Sequence, residues 1–238
     1  MISLLWHEAV FQPLYNILVF LINILPGQSV GVAIILLTIA VRTALFPLTG
    51  KSMRAQRAMR ELEPELKKIR ELHKADKQLQ AKKTMELYQD RGVTPFSGCL
   101  PLFIQIPIII GLYWVFKDLT KIEPVALYSF IHSPGLLDMH FLFFDLAAKS
   151  VILAGLAGIT QYFQTDLSLG RQVPAAKGDG KPSFQEDLAK SMQVQMRYVL
   201  PVMISFIAFN TSAAVALYWA TSNILSIAQE LLMRRKRT

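Results

Sequence analysis

The sequence has few of the residues that catalytic, redox and disulfide chemistry require. Its one cysteine, Cys99, excludes an internal disulfide framework and a multi-cysteine metal site. The four histidines are dispersed and suggest neither a metal site nor a catalytic base. The Gly-x-x-x-x-Gly-Lys-Ser/Thr, His-Glu-x-x-His and Gly-x-Ser-x-Gly motifs are all missing from the sequence. We therefore expect neither an enzyme nor a cofactor.

Charge is also scarce over long stretches of the chain. Hydrophobic residues make up 53% of the sequence, yet residues 51–91 hold twelve of its 25 Lys and Arg. This segregation indicates an all-α integral membrane protein with charged loops. A helix needs about 20 mostly apolar residues to cross the hydrocarbon. We predict five such spans, at residues 30–48, 98–117, 146–165, 194–210 and 212–232.

The strongly basic segments all fall on one side of these five spans. They concentrate in the segments 50–97 and 166–193 and in the tail 233–238. By contrast, residues 1–30 contain no Lys or Arg, and the predicted extracytoplasmic loop 118–145 contains only Lys121. The positive-inside rule then predicts an outer N-terminus and a cytoplasmic C-terminus. With no transit peptide in view, we expect a bacterial inner membrane.

The first 27 residues allow two interpretations. Residues 4–25 are apolar but include Asn16 and Asn23, and they stop at Pro26-Gly27. The segment 1–27 could lie along the outer interface as an amphipathic helix, which we favour, or it could make a sixth span. A basic n-region is missing, so we do not expect a cleaved signal peptide.

The segment 50–97 is predicted to form a helical hairpin in the cytoplasm. Apolar residues from Met59 to Leu72 recur at spacings of three and four, which indicates one helical face. His73 to Lys77 reads as a break, and Gln78 to Tyr88 as a second helix. This hairpin is either a basic connector near anionic lipid or a docking arm for translocation machinery or an incoming chain. Residues 168–183 are rich in Gly, Pro and small polar residues, which predicts a flexible linker within the cytoplasmic loop 166–193.

Arg42 requires explanation because it lies inside the first span. An arginine near the centre of a membrane helix costs about 2.5–3.5 kcal/mol on insertion scales, and it cannot lose its proton. The predicted spans offer no Asp or Glu away from their ends. Arg42 could extend towards the cytoplasmic surface, or it could line a water-filled groove open to that side. We favour the groove.

Other polar or amphipathic side chains in the spans could line the same groove. Thr38 lies one turn before Arg42 on the same helix face. The remaining candidates are Gln105, Gln161, Gln164, Trp219 and Asn223. For each polar candidate the simpler interpretation is a hydrogen bond between helices, and Trp219 could be a packing aromatic. Two rival functions stay open here: a small transporter or channel with Arg42 as an anion site, and a purely structural assembly factor.

Several ordered motifs resemble those of the YidC/Alb3 family of membrane-protein insertases. The most specific block runs from Glu86 through Arg91-Gly-Val-Thr-Pro-Phe-Ser-Gly-Cys-Leu-Pro101 to Pro107 and Gly111-Leu-Tyr113. The other pieces are Thr38–Arg42, Phe46–Leu48, Lys51–Met53, Leu62–Leu66, Phe141–Leu146, Gln195-Met196, Pro201, Leu217–Trp219, Ser222-Asn223 and Gln229. Together they extend over nearly the whole chain.

The resemblance implies a five-helix core, a cytoplasmic hairpin and insertion of small or single-span nascent membrane proteins, alone or beside the Sec translocon. It implies that Arg42 lies in a hydrophilic groove open to cytoplasm and lipid. Thr38 and Trp219 match positions that contact substrate, and either Gln161 or Gln164 matches a groove glutamine. Further implied partners are the signal recognition machinery, the ribosome and anionic lipids, although the short tail argues against stable ribosome docking. The large extracytoplasmic domain of other members is missing, as in a short form.

Overall fold

The structure, a computed structural model, describes residues 6–74, 76–93, 100–117, 127–135, 137–169 and 191–235. This part of the chain is almost entirely helical. Its helices are α1 (Gln12–Ile24), α2 (Val30–Glu61), α3 (Glu63–Leu72), α4 (Lys77–Asp90), α5 (Leu100–Lys117), α6 (Val151–Leu169), α7 (Leu200–Asn210) and α8 (Ala213–Arg235). Strands β1 (His140–Phe141) and β2 (Phe144–Asp145) form a small antiparallel hairpin. The chain divides into two compact units, residues 1–43 with 108–238 and residues 44–107.

The first unit has an apolar core to which all its helices contribute. Helices α7 and α8 both pack against α6. The fully buried aliphatic side chains include Leu18, Ile34 and Leu112, from α1, α2 and α5 respectively. Many apolar side chains on the other faces of these helices are exposed, such as Phe206 on α7. An exposed apolar surface combined with a packed interior is the pattern that a lipid environment favours.

Helix α1 is tied to the segment 127–132 by its two asparagines. The Asn16 amide donates to Gln12 O at 2.8 Å, and its carbonyl oxygen accepts from Tyr128 N at 2.7 Å. The Asn23 amide donates to His132 O at 2.7 Å. These polar side chains therefore satisfy backbone groups of a distant segment, which explains their presence in an otherwise apolar helix.

The predicted third span, 146–165, begins too early. Residues 146–150 are not helical, and α6 runs from Val151 to Leu169. The Asp145 carboxylate accepts from Ala147 N at 2.9 Å, and the Ser150 hydroxyl accepts from Leu153 N at 3.3 Å, as an N-cap does. Hydropathy alone missed this start because Leu146 is as apolar as a helix residue but is buried in the preceding turn.

Other boundaries also differ from the predicted segments. Helix α2 continues without interruption from the predicted first span into the segment 50–97, and Pro47 lies inside it. Helix α6 extends through residues 166–169 of the predicted loop. The helical stretch that ends with α7 already begins at Ser191, inside the same predicted loop. The intervening residues 170–190 lie outside the described part. Helix α8 extends into the predicted tail and ends at Arg235.

The second unit contains α3 and α4, which pack against each other. The helical face predicted from Met59 to Leu72 is interrupted at Leu62, between the end of α2 and the start of α3, and Pro64 occupies the first turn of α3. Asp76 caps α4 by accepting from Gln78 N and Leu79 N, both at 3.0 Å. Arg91 donates to Glu65 at 2.6 Å. On the surface of α4, Lys83 donates to Glu86 at 2.7 Å, which lowers the pKa of Glu86 and raises the pKa of Lys83.

Candidate functional site

The Arg42 side chain bridges α2 and α8. Its Nε and Nη2 atoms donate to the Ser222 hydroxyl oxygen at 3.0 and 2.5 Å. The side chain is partly exposed rather than fully enclosed. Within the described residues Arg42 makes no ion pair, so its charge is held by a neutral oxygen. A cation in this setting remains available to an anionic group that approaches it.

Thr38 lies one turn from Arg42 but points its hydroxyl into its own helix. Thr38 Oγ1 donates to Ile34 O at 2.6 Å, and the side chain is only 1% exposed. This bond within α2 is the usual solution for a threonine among apolar neighbours. In this structure the Thr38 hydroxyl hydrogen is therefore already used, although the residue shares a helix with Arg42.

The two candidate glutamines of α6 belong to one hydrogen-bonded row. The Gln161 amide donates to Gln164 Oε1 and to the Thr165 hydroxyl, both at 3.1 Å. The Gln164 amide reaches the Ser168 hydroxyl at 3.5 Å. Gln161 is buried and Gln164 is partly exposed. Both therefore belong to a single polar stripe along the second half of α6.

Asn223 connects α8 to α6. Its amide nitrogen lies 3.3 Å from both Ala157 O and the Thr160 hydroxyl, and the residue is buried. Trp219, one turn earlier on α8, is 7% exposed and belongs to the apolar core. Gln105 lies in the second unit and is partly exposed. The first unit thus holds Arg42 and five further candidates, two on α6, two on α8 and Thr38 on α2. Gln105 belongs to the second unit.

Two polar residues of the site were missed by sequence reasoning. Ser222, the acceptor for Arg42, and Thr160, a partner of Asn223, are short hydroxyl residues that occur often in membrane helices. The available signal was position, because Ser222 precedes Asn223, and Thr160 precedes Gln161.

A cavity of about 370 Å³ lies elsewhere in the first unit. Its wall combines polar residues, among them Lys149 and Ser212, with aromatic residues of α5. None of the seven predicted site residues lines it. The cavity is therefore separate from the Arg42–Ser222 contact.

Length and composition make two helical stretches of the described chain long and apolar enough to cross a membrane, Val30–Leu72 and Ser191–Asn210. A shorter apolar helix covers Gln105–Phe116. The first of these stretches carries Arg42, whose guanidinium donates to the Ser222 hydroxyl. Fold and site together are those of a helical protein with candidate membrane spans and a polar contact among its apolar helices.

Comparison with known proteins identifies the family. Residues 20–238 match the family described as 60Kd inner membrane protein, and the chain belongs to this YidC/Alb3/Oxa1 family. Over 205 residues, or 86% of the chain, it is 35% identical to proteins named "Membrane protein insertase YidC" from Francisella tularensis subsp. novicida and subsp. tularensis. The matched region is 32% of each relative's length, so the chain spans a minor part of these relatives.

Proposed function

We propose that this chain inserts small or single-span membrane proteins into the bilayer and assists their folding. The observation that carries the proposal is the Arg42 guanidinium, which is partly exposed and bound to a neutral hydroxyl. The chain belongs to a family of inner membrane proteins. Its relatives are named membrane protein insertases. A cation with no carboxylate partner in the described part of the chain suits an activity that holds polar or acidic peptide segments without breaking bonds.

The proposed architecture has five membrane spans, formed by α2, α5, α6, α7 and α8. Helices α3 and α4 form the cytoplasmic hairpin, and α1 lies at the outer interface as an amphipathic helix. The N-terminus is outside and the C-terminus is in the cytoplasm of a bacterial cell. The distribution of Lys and Arg along the sequence supports this orientation.

The proposed substrate path is a hydrophilic groove with Arg42 as its one fixed charge. The polar stripe of Gln161 and Gln164 supplies neutral hydrogen-bonding groups on α6. Asn223 supports the α6–α8 wall through its bonds to α6. Thr38 and Trp219 complete the proposed lining. Neutral groups suit a passing peptide because they can hydrogen bond to it whatever charge it carries.

In the proposed mechanism, the mobile part of a nascent chain meets the hairpin and then enters the groove. Arg42 attracts the acidic or polar segment that must cross, and water in the groove shortens the hydrocarbon path. The apolar segment moves sideways into lipid, and its transfer free energy drives the step. A membrane potential that is positive outside assists the export of an acidic segment, by about 2.3 kcal/mol per charge per 100 mV.

The proposed partners follow from the same mechanism. Nascent membrane proteins are the substrates, delivered by the ribosome and the signal recognition machinery. The chain acts alone or beside the Sec translocon. Anionic lipids contact the basic hairpin and tail, where each Lys or Arg near the surface contributes about 1 kcal/mol.

The test uses a single-span client with an acidic N-terminal tail, in cells depleted of their own insertase. The cells are supplied with the wild-type chain, Arg42→Lys or Arg42→Ala, and protease protection of the tail measures insertion. We expect Lys to support insertion and Ala to fail, because the attraction depends on positive charge. All three proteins must accumulate to equal levels in the membrane.

A second client with a neutral tail is the matched control. Its insertion should depend much less on Arg42, since no charge has to be attracted. If Arg42→Ala inserts the acidic client as well as the wild type does, the charge-attraction mechanism is wrong. If both clients fail equally with Arg42→Ala, Arg42 has a structural role and not a substrate-attracting one.

A further inference from the structure

The cavity described above lies at one end of the helices of the first unit. Its wall includes Lys149 in the segment before α6, and Asn210, Thr211 and Ser212 in the turn between α7 and α8. Tyr113 and Phe116 of α5 form an aromatic side. The lining of the cavity thus combines polar and apolar groups. Its volume of about 370 Å³ falls in the range of small-molecule sites.

Lys149 is the cation of this cavity. Its ammonium lies 5.9 Å from the centroid of the Phe209 ring, and it makes no hydrogen bond or ion pair within the described residues. The side chain is exposed. Basic residues are scarce in this part of the sequence: the stretch 122–148 contains neither Lys nor Arg. An ammonium without a protein anion can bind an anion from outside.

The backbone around the cavity leaves Lys149 as the main anion-binding group. Helix α8 begins at this end, and the first N–H groups of a helix usually attract anions. Here, however, Ala213 N donates to Ala148 O at 2.8 Å and Ala214 N donates to Leu146 O at 3.1 Å. An anion in the cavity would therefore meet the Lys149 ammonium and the Ser212 hydroxyl, not free backbone N–H groups.

Aromatic side chains place the cavity at the level of lipid headgroups. Tyr113 lines the cavity and is exposed, and its ring packs edge-on against the exposed Trp114 at a centroid distance of 5.9 Å. Exposed Tyr and Trp near helix ends typically mark the membrane–water interface. The ligand chemistry at that depth is an anionic group joined to an apolar tail, which matches the mixed polar and apolar lining of the cavity.

We propose that this cavity binds the phosphate headgroup of a phospholipid, with Lys149 and Ser212 contacting the phosphate and Tyr113 and Phe116 contacting the glycerol and the start of the acyl chains. The site does not include the Arg42 contact and does not require the proposed insertion activity. Its lipid acts as a fixed component at the start of α6 and α8.

The test is native mass spectrometry of the delipidated full chain in detergent, titrated with dioctanoyl phosphatidylglycerol. We expect one lipid to bind per chain, and Lys149→Gln to weaken this binding about tenfold or more, as the loss of one charge-assisted hydrogen bond implies. Lys149→Arg should retain most of the affinity. Lys82→Gln on α4 removes the same charge from an exposed lysine that does not line the cavity, and it should change nothing.

Three further ligands separate the sources of the anion. Dioctanoylglycerol, which has the tails but no phosphate, and inorganic phosphate, which has no tail, should each bind much more weakly. An acidic peptide should not displace the phospholipid. Equal binding of the lipid to wild type and Lys149→Gln would overturn the proposal, as would tight binding of inorganic phosphate alone or preferential binding of the peptide.

A second variant protects the test against misfolding. Ser212→Ala removes one hydroxyl while keeping the charge, and it should weaken phosphatidylglycerol binding by several-fold. Both variants must melt at the wild-type temperature without added lipid, while added lipid should raise the melting temperature of the wild type more than that of either variant. Equal stabilisation of all three proteins would contradict the site.

Discussion

At the level of single residues, the Arg42 guanidinium depends on the Ser222 hydroxyl for its orientation. Two of its N–H groups converge on this one oxygen. Ser222 is 1% exposed, so the hydroxyl has few alternative positions. Ser226, one turn further along α8, offers a contrast because its hydroxyl donates to Ser222 O at 2.9 Å, within its own helix.

This contrast predicts different effects for two equivalent substitutions. Ser222→Ala should lower the free energy of unfolding by about 1–3 kcal/mol, as expected for hydrogen bonds to a charged group. It should also reduce insertion of the acidic client, though less than Arg42→Ala does, because the charge remains. Thermal unfolding in detergent and the insertion assay measure the two effects.

Ser226→Ala is the control for Ser222→Ala. It removes a bond inside α8 that contributes little to the packing of other helices, so its effect on unfolding should be close to zero. Similar losses of stability and insertion in both variants would contradict a specific role for the Ser222 hydroxyl.

How well each candidate residue could be predicted depended on the free energy needed to place its side chain in a membrane helix. Arg42 was identified from sequence because a charge among apolar residues needs compensation. Its hydrogen-bond partner could not be identified, because Ser222 is 180 positions away in the sequence. A serine in a membrane helix also needs little compensation, so it does not stand out. Helical spacing also put Thr38 near Arg42, but spacing does not reveal that its hydroxyl donates to Ile34 O.

At the level of helices, α6 and α7 approach closely at Gly158. A Cβ atom at this position would clash with the Ser205 side chain and lie 3.1 Å from Pro201 O. Gly155, one turn earlier on α6, would meet nothing within 4 Å. The close approach at Gly158 is typical of membrane helices, where small residues let backbones pack together.

The two glycines predict opposite effects of the same substitution. Gly158→Ala should destabilise the protein by about 1–3 kcal/mol, because the added methyl forces α6 and α7 apart. Gly155→Ala should be neutral or stabilise by up to about 1 kcal/mol, because alanine favours helix and the space is open. Thermal unfolding of both variants in the same detergent checks this, and equal destabilisation by both would contradict the packing at Gly158.

Helix positions could be inferred from sequence more readily than helix ends. Apolar runs indicated the helical stretches because only a helix satisfies its own backbone inside a membrane. The start of α6 was misplaced because capping by Ser150 and the turn at Asp145 depend on local hydrogen bonds, not on hydropathy. The course of α2 through Pro47 agrees with the tolerance of membrane helices for proline, whereas its extension to Glu61 goes beyond the apolar run that hydropathy detects.

At the level of the whole molecule, the proposed orientation places the β1–β2 turn outside and α4 in the cytoplasm. Phe143 in that turn is 79% exposed, and Lys82 on α4 is also exposed. The single Cys99 makes this orientation accessible to chemical labelling, because Cys99→Ser provides a chain without thiols.

We expect opposite labelling of two single-cysteine variants in that background. In intact spheroplasts, a membrane-impermeant maleimide should react with Phe143→Cys but not with Lys82→Cys. After permeabilisation both should react, which controls for accessibility. Labelling of Lys82→Cys in sealed cells, with Phe143→Cys protected, would reverse the orientation and contradict the positive-inside assignment.

The tie between α1 and the segment 127–132 has a consequence for the order of synthesis. Asn16 and Tyr128 are 112 positions apart, so the ribosome makes them on the order of ten seconds apart at typical elongation rates. During that interval α1 exists without the backbone groups that its asparagines finally bind. A chain proposed to guide others into the membrane thus leaves the two asparagines of its own first helix without these partners until residues 128–132 have been made.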